Sequence, residues 1–209
     1  MKSSAHRRNL AYLLAAGGVF VCTLQAMYWP VLNKPGTPLA WWQVSWMAEV
    51  GHVVGEPVLA LSLVAAFVVR GAYFEFLSWL LAIAWSLGLY WSLRRLQVGN
   101  RGARTSGERV AHAYLCVFLG TITPSVIGAA SAVVPGLAYI ALPGSWFGWL
   151  FARDEVGVYS MVAGYVAAVF VDTAVFAGLW YVAIKRLRLG VTVRPGASTD
   201  YRQEEHGNH

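Results

Sequence analysis

Three side chains able to do chemistry lie close together near the start of the chain: Glu49, His52 and Glu56. At i, i+3 and i+7 they would share one face of a helix. Glu and His at such spacing bind metal in carboxylate-bridged bundles, but only with matching ligands from further helices. Glu75, His112 and Asp172 are the remaining contributors, and no second Glu-x-x-His follows. Carboxylates just before Pro57 also suit a helix N-terminus without any metal. Helix-terminal acids are therefore the expectation, metal binding by Glu49, His52 and Glu56 is the minor alternative, and no cofactor is expected.

Asp172 poses a different question. It stands in Ala168-Val169-Phe170-Val171-Asp172-Thr173, near the middle of an apolar run. A carboxylate at bilayer depth costs on the order of 3 kcal/mol unless it is paired or hydrated. A structural role would be an interhelical hydrogen bond to Thr121, Thr123 or Ser125. A functional role would be a transport relay. The chain offers no obvious second intramembrane charge for a relay, so the structural role is expected. HExxH, GxSxG, a phosphate loop and paired intramembrane aspartates are absent from the sequence, which points away from an enzyme. Cys22 and Cys116 lie in apolar segments without a CxxC spacing and read as small buried hydrophobes.

The basic residues form a third group. Arg94, Arg95, Arg101, Arg104 and Arg109 fall within one polar interval between two apolar halves. Lys185, Arg186, Arg188, Arg194 and Arg202 belong to the C-terminal part. Lys and Arg beside apolar segments mark cytoplasmic flanks. The same arginines can meet anionic lipid or an acidic partner surface. The net charge of +6 is thereby accounted for without nucleic acid.

The elements that must carry these residues are membrane spans. Of the 209 residues, 57% are hydrophobic and 12% charged, against roughly 25% charged in soluble domains. Mean hydropathy is +0.52. The fold class expected is all-α: a polytopic helical membrane protein with four to five transmembrane helices and a basic cytoplasmic loop. Residues 10–29 form a first span, read as an uncleaved signal anchor. Pro30, Pro35 and Pro38 should break the helix, and Trp41, Trp42 and Trp46 suggest a short helix on the membrane surface. Residues 52–70 and 72–92 read as a hairpin of two spans. Residues 110–142 contain Pro124 and Pro135 and read as one kinked span, or one span plus a re-entrant half. A loop at 143–157 and a last span at 158–184 follow. Residues 1–189 form the membrane domain, and 190–209 are a polar tail expected to be disordered.

Orientation contains a conflict. The arginine loop and the tail are separated by two spans, so both can be cytoplasmic. Lys2, Arg7 and Arg8 place the N-terminus there too, yet three spans before the loop would place it outside. The favoured resolution is a cytoplasmic N-terminus with one non-crossing segment between residues 39 and 93. Gly128, Ala132 and Gly136, Gly164 and Ala168, and Ala174 and Gly178 are small-xxx-small pairs that let helices approach closely, within the chain or between copies.

One resemblance emerges from the central loop. Arg94-Arg95, Gly102-Ala103-Arg104, Ser106-Gly107 and Val110-Ala111-His112 are similar to a cytoplasmic loop of inner-membrane proteins of integrating conjugative elements and conjugative plasmids. Pro135, Tyr139-Ile140-Ala141-Leu142-Pro143 and Ser145 resemble a second patch of that family, and Met27-Tyr28-Trp29-Pro30 is a weaker echo. The likeness covers about a quarter of the chain, in the same order. It implies a non-enzymatic component of conjugative DNA transfer by type IV secretion, a scaffold or coupling factor for a partner ATPase. It places Arg94, Arg95, Arg101, Arg104, Arg109 and His112 at the partner surface.

Overall fold

The computed structural model describes residues 2–32, 45–69, 72–98, 106–131, 133–134, 136–146 and 157–189. The described residues are helical and include no strand. In chain order the helices are α1 Lys2–Leu32, α2 Ser45–Val54, α3 Glu56–Val68, α4 Ala72–Val98, α5 Ser106–Ser131, α6 Leu137–Ala141 and α7 Val158–Leu189. A further helical turn occupies 143–146. Arg101, Arg104 and the tail at 190–209 lie outside the described residues.

Four helices are long and apolar enough to cross a membrane, over His6–Tyr28, Tyr73–Leu96, Ser106–Ser131 and Ser160–Arg186. This bears out the all-α polytopic fold. Side-chain contacts show how the spans run. Phe20 and Tyr28 of α1 meet Trp79 of α4, with ring centroids 5.9 and 6.5 Å apart. Leu13 of α1 lies instead beside the hollow that Leu87 and Tyr90 line. α1 and α4 are therefore antiparallel. The rings of His112 on α5 and Tyr181 on α7 stand 5.4 Å apart, so the start of α5 meets the end of α7. The two helices approach closely at Gly120: a Cβ there would stand 2.6 Å from the Ala177 nitrogen and 2.7 Å from the Thr173 carbonyl oxygen. Such backbone proximity is what a glycine permits between spans. Gly128 and Gly178 have open space beside them, so these two members of the small-residue pairs do not make the contact.

The start of α1, the end of α4, the start of α5 and the end of α7 thus gather at one end of the bundle. Every Lys and Arg among the described residues lies there. Arg7, Arg8, Arg94, Arg95, Arg109, Lys185 and Arg186 are exposed.

The expected hairpin of two spans over 52–92 is not what forms. His52 belongs to α2, and the chain bends by 88° between α2 and α3. The bend falls at Gly55, with Pro57 in the first turn of α3, where a missing N–H costs no helical bond. A break inside lipid leaves carbonyls that need donors. The Trp85 indole supplies one, donating to the Val54 carbonyl at 2.9 Å, and the Tyr114 hydroxyl donates to the carbonyl of Trp85 in turn. Only residues 69–71 separate α3 from α4, so α3 ends where α4 begins, away from the basic end. Gly55 packs on Thr23 of α1, about 22 Å along the helix from Arg8. The α2–α3 pair is therefore sharply bent within the bundle, the shape of a broken span or of a re-entrant segment. A short helix does begin at the tryptophans: α2 starts at Ser45 with Trp46 exposed and Ala48 and Gly51 buried, while Trp41 and Trp42 lie outside the described residues. α1 continues to Leu32, past Pro30. A proline two residues from a helix end sits where few bonds remain to be lost.

Candidate functional site

The buried polar groups converge where the broken helix meets α5 and α7. Glu56, first residue of α3, accepts a hydrogen bond from the Ser125 hydroxyl at 3.0 Å. The Tyr165 hydroxyl of α7 also hydrogen-bonds this carboxylate. Asp172, 7% exposed, lies near enough to Glu56 for the two acids to interact electrostatically. Counted along α7, Asp172 stands about 21 Å from Arg186, near the middle of a span.

Asp172 does not bond to Thr121, Thr123 or Ser125. Thr121 and Thr123 donate to carbonyls four residues earlier, Val117 and Leu119, and Thr123 accepts from the Trp180 indole at 2.9 Å. The partner of Asp172 is backbone: the Gly144 N–H donates to Oδ1 at 2.6 Å. Residues 143–146, expected as a loop, reach in from the end of α5 to mid-depth and deliver this donor. The re-entrant half anticipated for 110–142 thus continues further along the chain. Gly144 is buried, and a Cβ on it would lie 2.6 Å from Asp172 Oδ2, so only glycine brings its N–H this close.

Glu56 is the second intramembrane carboxylate that sequence reading missed. Its neighbours Gly55 and Pro57 carried the signal. A Gly–x–Pro inside an apolar run marks an interrupted helix, and such interruptions are tolerated only where they line protein or a cavity. The same bend separates Glu56 from Glu49 and His52, which stay on α2 and are exposed. Among the described residues no three of His, Cys, Asp or Glu are grouped so as to hold a metal ion.

A cavity of about 290 Å³ adjoins this cluster. Its walls come from α1, α2, α3, α4 and α7, and Tyr165 belongs to both the cavity and the acid cluster. His52 and Glu75, both exposed, stand on its lining with Tyr28, Ser62 and Ser78.

The arginine group divides. Arg94 and Arg95 in the last turns of α4, and Arg109 in the first turn of α5, are exposed at the basic end. His112 is 3% exposed and packed on Tyr181, so it supports the helix pair rather than a partner surface. Comparison of the chain with protein-family models, characterised proteins and solved structures finds no match.

Proposed function

We propose that the chain is a non-enzymatic inner-membrane component of conjugative DNA transfer, a scaffold or coupling factor for a partner ATPase. The observation that carries the reading is the collection of exposed Arg7, Arg8, Arg94, Arg95, Arg109, Lys185 and Arg186 at one end of the bundle. The positive-inside rule assigns that end, with both termini, to the cytoplasm, where the arginine loop faces an acidic partner or anionic lipid. The likeness of residues 94–112 and 135–145 to proteins of conjugative elements supplies the process. In the test, Arg94, Arg95 and Arg104 are reversed to Glu and the transfer frequency of the mobile element is counted. A fall of about tenfold or more, equivalent to ~1.4 kcal/mol of lost interaction, is the expected result. Wild-type transfer by a correctly inserted triple variant would reduce the loop to a topology signal.

A second reading, a small cation transporter, is favoured by one observation: Glu56 at a helix break beside Asp172. Interrupted helices at mid-membrane house coupling-ion sites in transporters. The hypothesis requires that proteoliposomes carrying the protein dissipate a proton or sodium gradient, and that Asp172→Asn abolishes the flux. Proteoliposomes as tight as protein-free vesicles would remove it.

A further inference from the structure

Glu56 and Asp172 are carboxyl groups at mid-membrane, and what surrounds them is a set of hydrogen-bond donors. Glu56 accepts from the Ser125 hydroxyl at 3.0 Å and is hydrogen-bonded by the Tyr165 hydroxyl. Asp172 accepts from the Gly144 N–H on Oδ1 at 2.6 Å. Tyr165 and Asp172 stand at i and i+7 on α7, and therefore on one face. The face that holds Glu56 through its tyrosine thus also presents the second acid, and the two carboxyls interact electrostatically.

The described residues supply no cation to this pair. Every Lys and Arg among them is at the basic end. α3 carries no titratable group besides Glu56, and residues 143–146 carry none. The middle stretches of α1 and α5 bring Cys22, Tyr114 and Cys116, side chain types that are uncharged at neutral pH. His52 of α2 and Glu75 of α4 are exposed.

The helix break offers little to a metal cation. In coupling-ion sites the carbonyls freed by a broken helix coordinate the ion. Here three carbonyls at the break are already engaged. Gly51 accepts from the Gly55 N–H at 2.8 Å and Gly55 from the Leu59 N–H at 3.0 Å, while Val54 accepts from the Trp85 indole at 2.9 Å. What remains is two neighbouring carboxyls in a low dielectric, and such a pair does not ionise twice.

We propose that Glu56 and Asp172 hold one proton between them at neutral pH, and that the cation of this site is the proton rather than sodium. The pair keeps one negative charge, which Ser125, Tyr165 and Gly144 stabilise by donating to it. The proton passes from the carboxyl oxygen of one acid to the carboxylate oxygen of the other, so the charge of the pair is unchanged and the two titrate as a unit. The proton count stands by itself; the proton as cargo rests on the transporter reading above.

Infrared spectroscopy of the full chain in lipid vesicles at neutral pH counts the proton. The protonated-carboxyl band of the wild type, less that of the Glu56→Gln, Asp172→Asn double variant, should amount to one carboxyl. A difference of none means that both acids are ionised, a difference of two that both are neutral, and either overturns the proposal. Two results need no variant to fold: a wild type without a protonated-carboxyl band, or a band lost on adding sodium at constant pH, also overturns it. The same vesicles, given a pH gradient in sodium-free potassium buffer with a potassium ionophore, should dissipate that gradient, and a flux that requires sodium overturns the proton as cargo. Vesicles as tight as protein-free ones remove the transporter reading, while an infrared difference of one carboxyl upholds the shared proton.

Discussion

Asp172 and Gly144 form a pair in which a carboxylate oxygen and a backbone N–H solve each other's burial. A lone N–H at mid-membrane and a lone carboxylate would each be costly, and the 2.6 Å contact removes both deficits. What matters to the fold is then an acceptor oxygen, not the charge. Asp172→Asn retains that oxygen and should melt within a few degrees of the parent in detergent. Asp172→Leu strands the Gly144 N–H and should cost about 1–3 kcal/mol. Gly144→Ala drives a methyl against Asp172 Oδ2 and the Ala168 carbonyl and should cost a similar ~1–3 kcal/mol through overpacking. If Asp172→Asn melts as low as Asp172→Leu, charge rather than acceptance holds the site. The pairing itself was hidden from sequence reading because Gly144 lies 28 residues away and contributes backbone, which has no side-chain signature. Composition did mark Asp172 as a buried polar group in need of a partner, and the candidates were drawn from hydroxyls alone.

At the scale of elements, legibility followed the strength of the apolar run. α1, α4, α5 and α7 are long and lipid-compatible, and their existence was plain from hydropathy. The segments between them were not. Residues 52–70 are apolar enough to pass for a span, yet Gly55 and Pro57 interrupt the helix and turn it by 88°. Hydropathy reports the solvent an element tolerates, not whether it crosses or returns. The interruption has consequences for chemistry. It moves Glu56 off the face shared by Glu49 and His52, which weakens the metal reading. It brings the same carboxylate to Ser125, Tyr165 and Asp172, which creates the acid cluster. Trp85 shows how the break is tolerated: its indole takes the Val54 carbonyl that a continuous helix would have satisfied internally. The Trp85, Tyr114 and Phe118 rings, 5.3 and 5.8 Å apart along the cluster, tie that repair to α5.

At the scale of the whole molecule, the start of α1 and the end of α7 lie at the same end of the bundle as Arg94, Arg95 and Arg109, which favours one side of the orientation conflict that charge counting leaves open. Four spans with a re-entrant α2–α3 bring the start of α1, the 94–109 loop and the end of α7 to one side, as the favoured non-crossing segment required. Five spans would instead place the start of α1 opposite the arginine loop and set Arg7 and Arg8 against the positive-inside rule. Single cysteines decide between these arrangements. Cys22 and Cys116 are buried and are replaced by alanine. His6→Cys, Ser106→Cys and Lys185→Cys, all at exposed positions, are then labelled with a membrane-impermeant maleimide. All three should react only after the cytoplasmic face is opened. Val68→Cys, at the exposed end of α3, should react in intact cells. Labelling of His6→Cys and Val68→Cys from the same side would mean that α2–α3 crosses. It would also separate Arg7 and Arg8 from the arginine loop, and the single basic face on which the scaffold reading rests would no longer exist.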